Sequence, residues 1–85
     1  MPEISRFFGI VIYMYWRDHP PMHFHAVYGE FEALITLDGK VYSGSLPARA
    51  LSLVREWLAL HRDQIAEDWT LAAARKPLNP IEPLE

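Results

Sequence analysis

The sequence predicts an α+β fold: a small antiparallel sheet of three to four strands followed by one or two C-terminal helices packed on it. Three observations predict it. Two-residue turn signals, Gly29-Glu30 and Asp38-Gly39, separate short runs rich in β-branched and aromatic residues. Beyond residue 45, apolar residues recur at helical spacing. The change of pattern occurs once, so the chain has a β half and an α half.

Residues 9–16 read as a strand, apolar on both faces and therefore central or covered on both sides. Arg17-Asp18-His19-Pro20-Pro21 breaks it, because two prolines cannot donate to a ladder. Residues 23–28, 31–37 and 40–43 supply the second, third and a short fourth strand of a meander. Ser45-Leu46-Pro47 starts a helix, with Ser45 as candidate N-cap and Pro47 in the first turn. Ala50, Leu51, Val54, Trp57, Leu58, His61 and Ile65 form one face of it. Asp63 is a candidate cap for a second helix carrying Ile65, Trp69, Ala72 and Ala73 inward, although nothing near residues 61–63 forbids one continuous helix. Lys76-Pro77 ends the helical region. The expected organisation is one domain over residues 1–76 and an extended, Pro-rich tail over residues 77–85.

Eighty-five residues, 51% apolar and 22% charged, suit a single folded domain. A chain of this size buries only about 60–65% of its unfolded surface, so a partner chain would help it. The absence of cysteine excludes a disulfide framework, a cysteine zinc site and a thiol nucleophile. No apolar run reaches the about 18 residues expected of a membrane span. Met-Pro-Glu-Ile-Ser-Arg lacks the pattern of a signal peptide, so a cytoplasmic location is expected. The net charge is −3, and residues 46–76 balance five cations against four anions. That is not the usual electrostatic footprint of a nucleic-acid binder. Walker A, Rossmann and Gly-x-Ser-x-Gly fingerprints are absent from the sequence.

The chemistry concentrates in histidine. His23 and His25 are two apart on a strand, so they share a face, roughly 6.5–7 Å apart along the chain. Imidazoles so placed can converge on one metal ion or one phosphate. Zinc takes three or four ligands, and Asp18, His19 or His61 would have to complete a set with His23 and His25. The plainer reading is that both rings lie at the surface or bond to backbone. Phe24, Ala26 and Tyr28 form the apolar face of that strand, so the histidines face away from the main core unless the helix covers their side. His61 lies on the apolar helical stripe one turn after Trp57. It either packs there or reaches the histidine face. For acid–base chemistry at a phosphodiester, Arg6, Arg17 and Arg49 are available as phosphate contacts, and Tyr13 and Tyr15 are further candidates. Trp16, Trp57 and Trp69 suit core packing, or anchoring of a protein partner.

Several segments together resemble domain-of-unknown-function family 4160. They are Ile4-Ser5-Arg6-Phe7-Phe8-Gly9-Ile10-Val11-Ile12, then Asp18-His19-Pro20-Pro21-Met22-His23-Phe24-His25-Ala26 with Tyr28-Gly29, then Gly44-x-Leu46-Pro47, then Trp57-x-x-x-His61 and Trp69. The likeness runs nearly end to end. The family's usual Pro-His-Phe-His carries Met22 in place of its proline here, which alters turn stiffness and leaves the imidazoles. His23, His25 and His61 match the family's recurrent histidines. The resemblance implies a small bacterial protein with a partner chain, in gene pairs that look like toxin–antitoxin modules. It implies no established chemistry.

The leading expectation is therefore a subunit of a toxin–antitoxin-like module that acts on RNA through His23, His25 and His61. One imidazole would take the 2′-hydroxyl proton and another would protonate the leaving oxygen. An arginine would hold the phosphate, and no cofactor is needed. One alternative is a non-enzymatic adaptor or regulator that binds a protein partner. Another is a metal-binding protein in which His23 and His25 hold zinc or a similar divalent ion. The expected partners are a small cognate protein, RNA and a second copy of the chain, with no membrane.

Overall fold

A computed structural model of the chain describes residues 2–85, so Met1, the first residue of the expected domain, lies outside it. Five strands form one antiparallel sheet in sequence order: β1 (Glu3–Phe7), β2 (Ile10–Tyr13), β3 (His23–Tyr28), β4 (Phe31–Thr36) and β5 (Val41–Gly44). One helix, α1 (Ala48–Ala73), follows. The α+β class holds, but the strand count is five, not three to four. The additional strand is β1, whose mixed sequence Glu-Ile-Ser-Arg-Phe lacks clean alternation because a bulge lies between Glu3 and Ser5. The first expected strand ends at Tyr13, short of Trp16. One further bond, from the Met14 N–H to the Pro2 carbonyl at 3.1 Å, continues the β1 pairing before the chain turns away.

Turn chemistry sets the register. Tyr28 pairs with Phe31 across Gly29-Glu30, which places Ala26 opposite Ala33 and His25 opposite Leu34. At Gly44 the backbone has φ +77°, and an added Cβ would lie 2.1 Å from the Glu32 carbonyl oxygen. Only glycine fits there, and the next residue, Ser45, uses its N–H to bond that same carbonyl at 3.0 Å. Ser45 therefore ties the helix approach to the sheet and does not cap the helix. Pro47 holds the N-cap position, with no side-chain cap.

The helix runs without interruption to Ala73, but His61 leaves helical geometry (φ −131°, ψ 22°). The break expected near residues 61–63 is thus a kink inside one helix. Before it, Ala50, Val54, Trp57 and Leu58 pack on the sheet; after it, Ile65, Asp68 and Ala72 are buried. Trp57 is the centre of the core, with Phe7 and Phe24 rings 5.5 and 5.6 Å away. The C-terminus closes as a Schellman motif: Lys76 N–H donates to the Leu71 carbonyl and Arg75 N–H to that of Ala72, with Arg75 at φ +58°.

Residues 77–85 carry no regular secondary structure and pack against the rest of the chain. Ile81 and Leu84 are buried with the core residues. The Ile81 N–H donates to the Ile4 carbonyl at 2.8 Å, along the outer edge of β1. Trp57 Nε1 donates to the Glu82 carbonyl at 2.9 Å, and the Asn79 N–H donates to Asp68 Oδ1 at 2.9 Å.

Candidate metal centre

β3 is the middle strand, and its alternation divides two environments. Phe24 and Ala26 turn to the core with Ile12, Ala33 and Ile35. His23 and His25 turn the other way, as strand phase requires. They are nevertheless buried, at 2% and 8% exposure. The cover is the β2–β3 connection together with the second half of α1. Arg17, at φ +55°, donates its N–H to the Ala72 carbonyl at 3.2 Å, which fastens the connection to the last turn of the helix. Trp69 lies over His23 with ring centroids 5.3 Å apart, and Tyr42 approaches it from β5 at 5.8 Å. Tyr15 meets His25 edge-on at 4.3 Å.

Asp18 descends from this connection between the two imidazoles. Its Oδ2 lies 3.1 Å from His23 Nε2 and 3.1 Å from His25 Nε2. Its Oδ1 accepts the His19 N–H at 2.8 Å. The outer ring nitrogens are engaged as well. His23 Nδ1 is 2.7 Å from the Pro21 carbonyl oxygen, and His25 Nδ1 is 3.2 Å from Glu32 Oε2. A carbonyl only accepts, so His23 carries a proton on Nδ1. In a neutral His23 the Nε2 lone pair then faces a carboxylate oxygen, lone pair against lone pair. The same holds for His25 when its proton sits toward Glu32. A positive charge between these atoms, either additional protons or a metal ion, resolves the conflict. Burial pushes the Asp18 carboxyl up most strongly. The hydrogen bonds from His25 and the His19 N–H, with the charges of His23 and His25, outweigh it and hold the group below its ordinary value.

The geometry gathers three potential ligand atoms. One ligand atom each from Asp18, His23 and His25 lie within 4.8 Å of one another. Four-coordinate zinc with bonds of about 2.0–2.1 Å separates its ligand atoms by about 3.3 Å, close to the two 3.1 Å separations at Asp18. Nδ1 held by a backbone carbonyl on one histidine and by a carboxylate on the other is the usual outer support of metal-bound imidazole. The donor set of two imidazoles and one carboxylate suits zinc, iron(II) and their neighbours better than magnesium or calcium. A cavity of about 10 Å³ lies beside Asp18, under Tyr15 and Trp69. That is room for about one water beside the Asp18 carboxylate.

Residues 9–70 match the domain of unknown function DUF4160. The chain belongs to that family. Asp18, His23, His25, Glu32 and Trp69 all fall inside the matched DUF4160 segment, whereas β1 and the tail lie outside it. No match was found among curated proteins or among solved structures.

Other residues singled out in the sequence lie elsewhere. His61 sits at the kink, its Nδ1 2.8 Å from Gln64 Oε1 and its ring 5.9 Å from Trp57, and it does not join the other histidines. His19 is exposed. Arg6 donates to both oxygens of Glu3, at 2.9 and 3.1 Å. Arg49 lines a cavity formed with Phe8 and Leu53, and Arg17 contributes its backbone to the site. Three further site residues, Glu32, Tyr42 and Trp69, escaped the sequence reading as site residues. Glu32 was within reach of it: the two-residue turn at Gly29-Glu30 sets Val27 opposite Glu32, on the His25 face. Trp69 carried no such signal, because its position depends on the kink.

Proposed function

We propose that this chain is a small metal-binding protein that holds one divalent transition ion through Asp18, His23 and His25. One observation carries the reading: Asp18 Oδ2 stands 3.1 Å from the Nε2 of both histidines, whose Nδ1 atoms face a carbonyl and a carboxylate. The burial of both imidazoles favours a firmly held ion, because the attraction between ion and ligands is screened less there than in bulk water. The experiment is metal analysis of protein purified without a metal-affinity step, followed by titration calorimetry with Zn²⁺, Fe²⁺, Mn²⁺ and Ni²⁺. One ion per chain is expected. Glu32→Gln is expected to weaken binding by about 10–100-fold, and His25→Ala by more than that. A wild-type chain that carries no ion and takes up none sinks the reading.

The same imidazole pair supports a second reading, in which the chain is an RNA-cleaving subunit of a toxin–antitoxin-like module with a cognate protein partner. The side chains of Asp18, 21% exposed, and Glu32, 50% exposed, open the cluster to solvent. Growth arrest on induction of the chain alone, relieved in a folded His23→Ala/His25→Ala variant, would favour that role. Arrest that persists in that variant would separate the activity from the histidines.

A further inference from the structure

We propose that the chain pairs with a second copy of itself through the end of the sheet opposite the histidines. The first observation is a backbone one. β1 and β2 are joined by the two-residue turn Phe8-Gly9, between the partners Phe7 and Ile10. Both turn residues have positive φ, 49° and 80°. Such turns select asparagine, aspartate and glycine, and a bulky residue there is strained. Phe8 nevertheless stands 58% exposed. More than half of its surface is left to solvent, so a partner that covers the ring would supply burial that its own chain does not.

The second observation is the surface around it. Phe8 forms the rim of a cavity of about 240 Å³ whose apolar walls include Ile10, Tyr28 and Leu53. Tyr28 and its cross-strand partner Phe31 remain 38% and 44% exposed and continue the apolar surface across β3 and β4. One patch thus carries both a projecting ring and a hollow. It also carries both charges. Arg49 lines the cavity, and Glu30 lies two residues beyond Tyr28 in the adjoining turn. Both are exposed, and neither forms an ion pair among the described residues. A two-fold pairing sets the patch on itself, so each contact occurs twice. Each Phe8 then enters the partner's hollow, and each Arg49 faces the partner's Glu30. The face is separate from the metal centre: Tyr28 lies on the Phe24–Ala26 face of β3, opposite His23 and His25, and about 17 and about 10 Å along the strand from them at ~3.4 Å per residue.

Sedimentation velocity over a concentration series tests the pairing. Wild type is expected to shift from monomer to dimer. Phe8→Asn removes the anchor from both copies and is expected to weaken association at least about 700-fold, two anchor residues lost per dimer. Its melting temperature as a dilute monomer should hold or rise, because asparagine accepts positive φ. Arg49→Glu should also weaken the dimer, and Arg49→Glu/Glu30→Arg should restore it. A wild type that stays monomeric at every concentration overturns the proposal. So does a folded Phe8→Asn variant that associates as tightly as wild type. If Phe8→Asn unfolds, failure of the charge exchange to restore a dimer weakened by Arg49→Glu overturns it equally.

Discussion

The two faces of β3 are both buried, and by different means. Phe24 and Ala26 are sealed by the helical stripe of α1, with Trp57 and Ile35 beside them. Apolar burial needs contact area and little else, and one periodic stripe supplies it. His23 and His25 are sealed atom by atom, by Asp18, Pro21 and Glu32, under rings from residues 15, 42 and 69. Buried polar atoms need a partner each, so their cover comes from wherever the fold can bring one. One face is built for stability and tolerates any filler of the right volume. The other is built around a charge.

The largest effect is expected on the apolar face. Phe24→Ala removes a ring packed edge-on against Trp57 and should cost about 3–5 kcal/mol of stability in urea unfolding. It should leave the metal affinity of the remaining folded protein near wild type. A variant that keeps its stability and loses metal would reverse the division of labour between the faces.

A second experiment acts on the polar face alone. An ion bound only by the folded chain adds about 2.7 kcal/mol of stability at a free concentration of one hundred times its Kd. Wild type and Phe24→Ala should both show that increment. The His23→Ala/His25→Ala variant should show none with or without Zn²⁺. Equal stabilisation of all three by the ion would place metal binding elsewhere on the molecule.

The same contrast explains how much was legible in the sequence. Turn residues and apolar periodicity are local, so β3, β4, the helix and its weak point near His61 were readable. The strand phase that turns Phe24 inward and the histidines outward was readable too. β1 was not, because a bulge breaks its alternation and its turn uses Phe8 where such turns use asparagine or glycine. The histidine pair was plain in the sequence, and Asp18 stood among its candidate partners with His19 and His61. The choice among the three required the fold. The β2–β3 connection brings Asp18 back over the strand, while the helix carries His61 to Trp57. The tail reads as extended, and its Ile81 and Leu84 show no periodicity that would mark them as core residues.

The smallest expected effect concerns a carboxyl that lacks what Asp18 has. Asp68 is fully buried; its Oδ1 accepts the Asn79 N–H, and its Oδ2 has no partner. Burial pushes its pKa up, the Asn79 bond offsets part of that, and the nearby Glu67 charge adds to it. No imidazole stands by to reverse the sign, as it does at Asp18. Below the ordinary aspartate value, the folded and unfolded chains both hold the proton, and Asp68 costs nothing. Above that value the unfolded chain ionises first, so stability falls as pH rises toward the folded value, by at most about 1.4 kcal/mol per pH unit. Asp68→Asn keeps an acceptor for Asn79 and removes the titration. Urea unfolding of both proteins between about pH 4 and pH 7 should show wild type losing stability relative to the variant as pH rises. Groups common to the two chains, Asp18 included, cancel in that difference. A flat difference would mean that Asp68 ionises as readily in the fold as outside it. The two carboxyls would then differ in their partners but not in their burial cost.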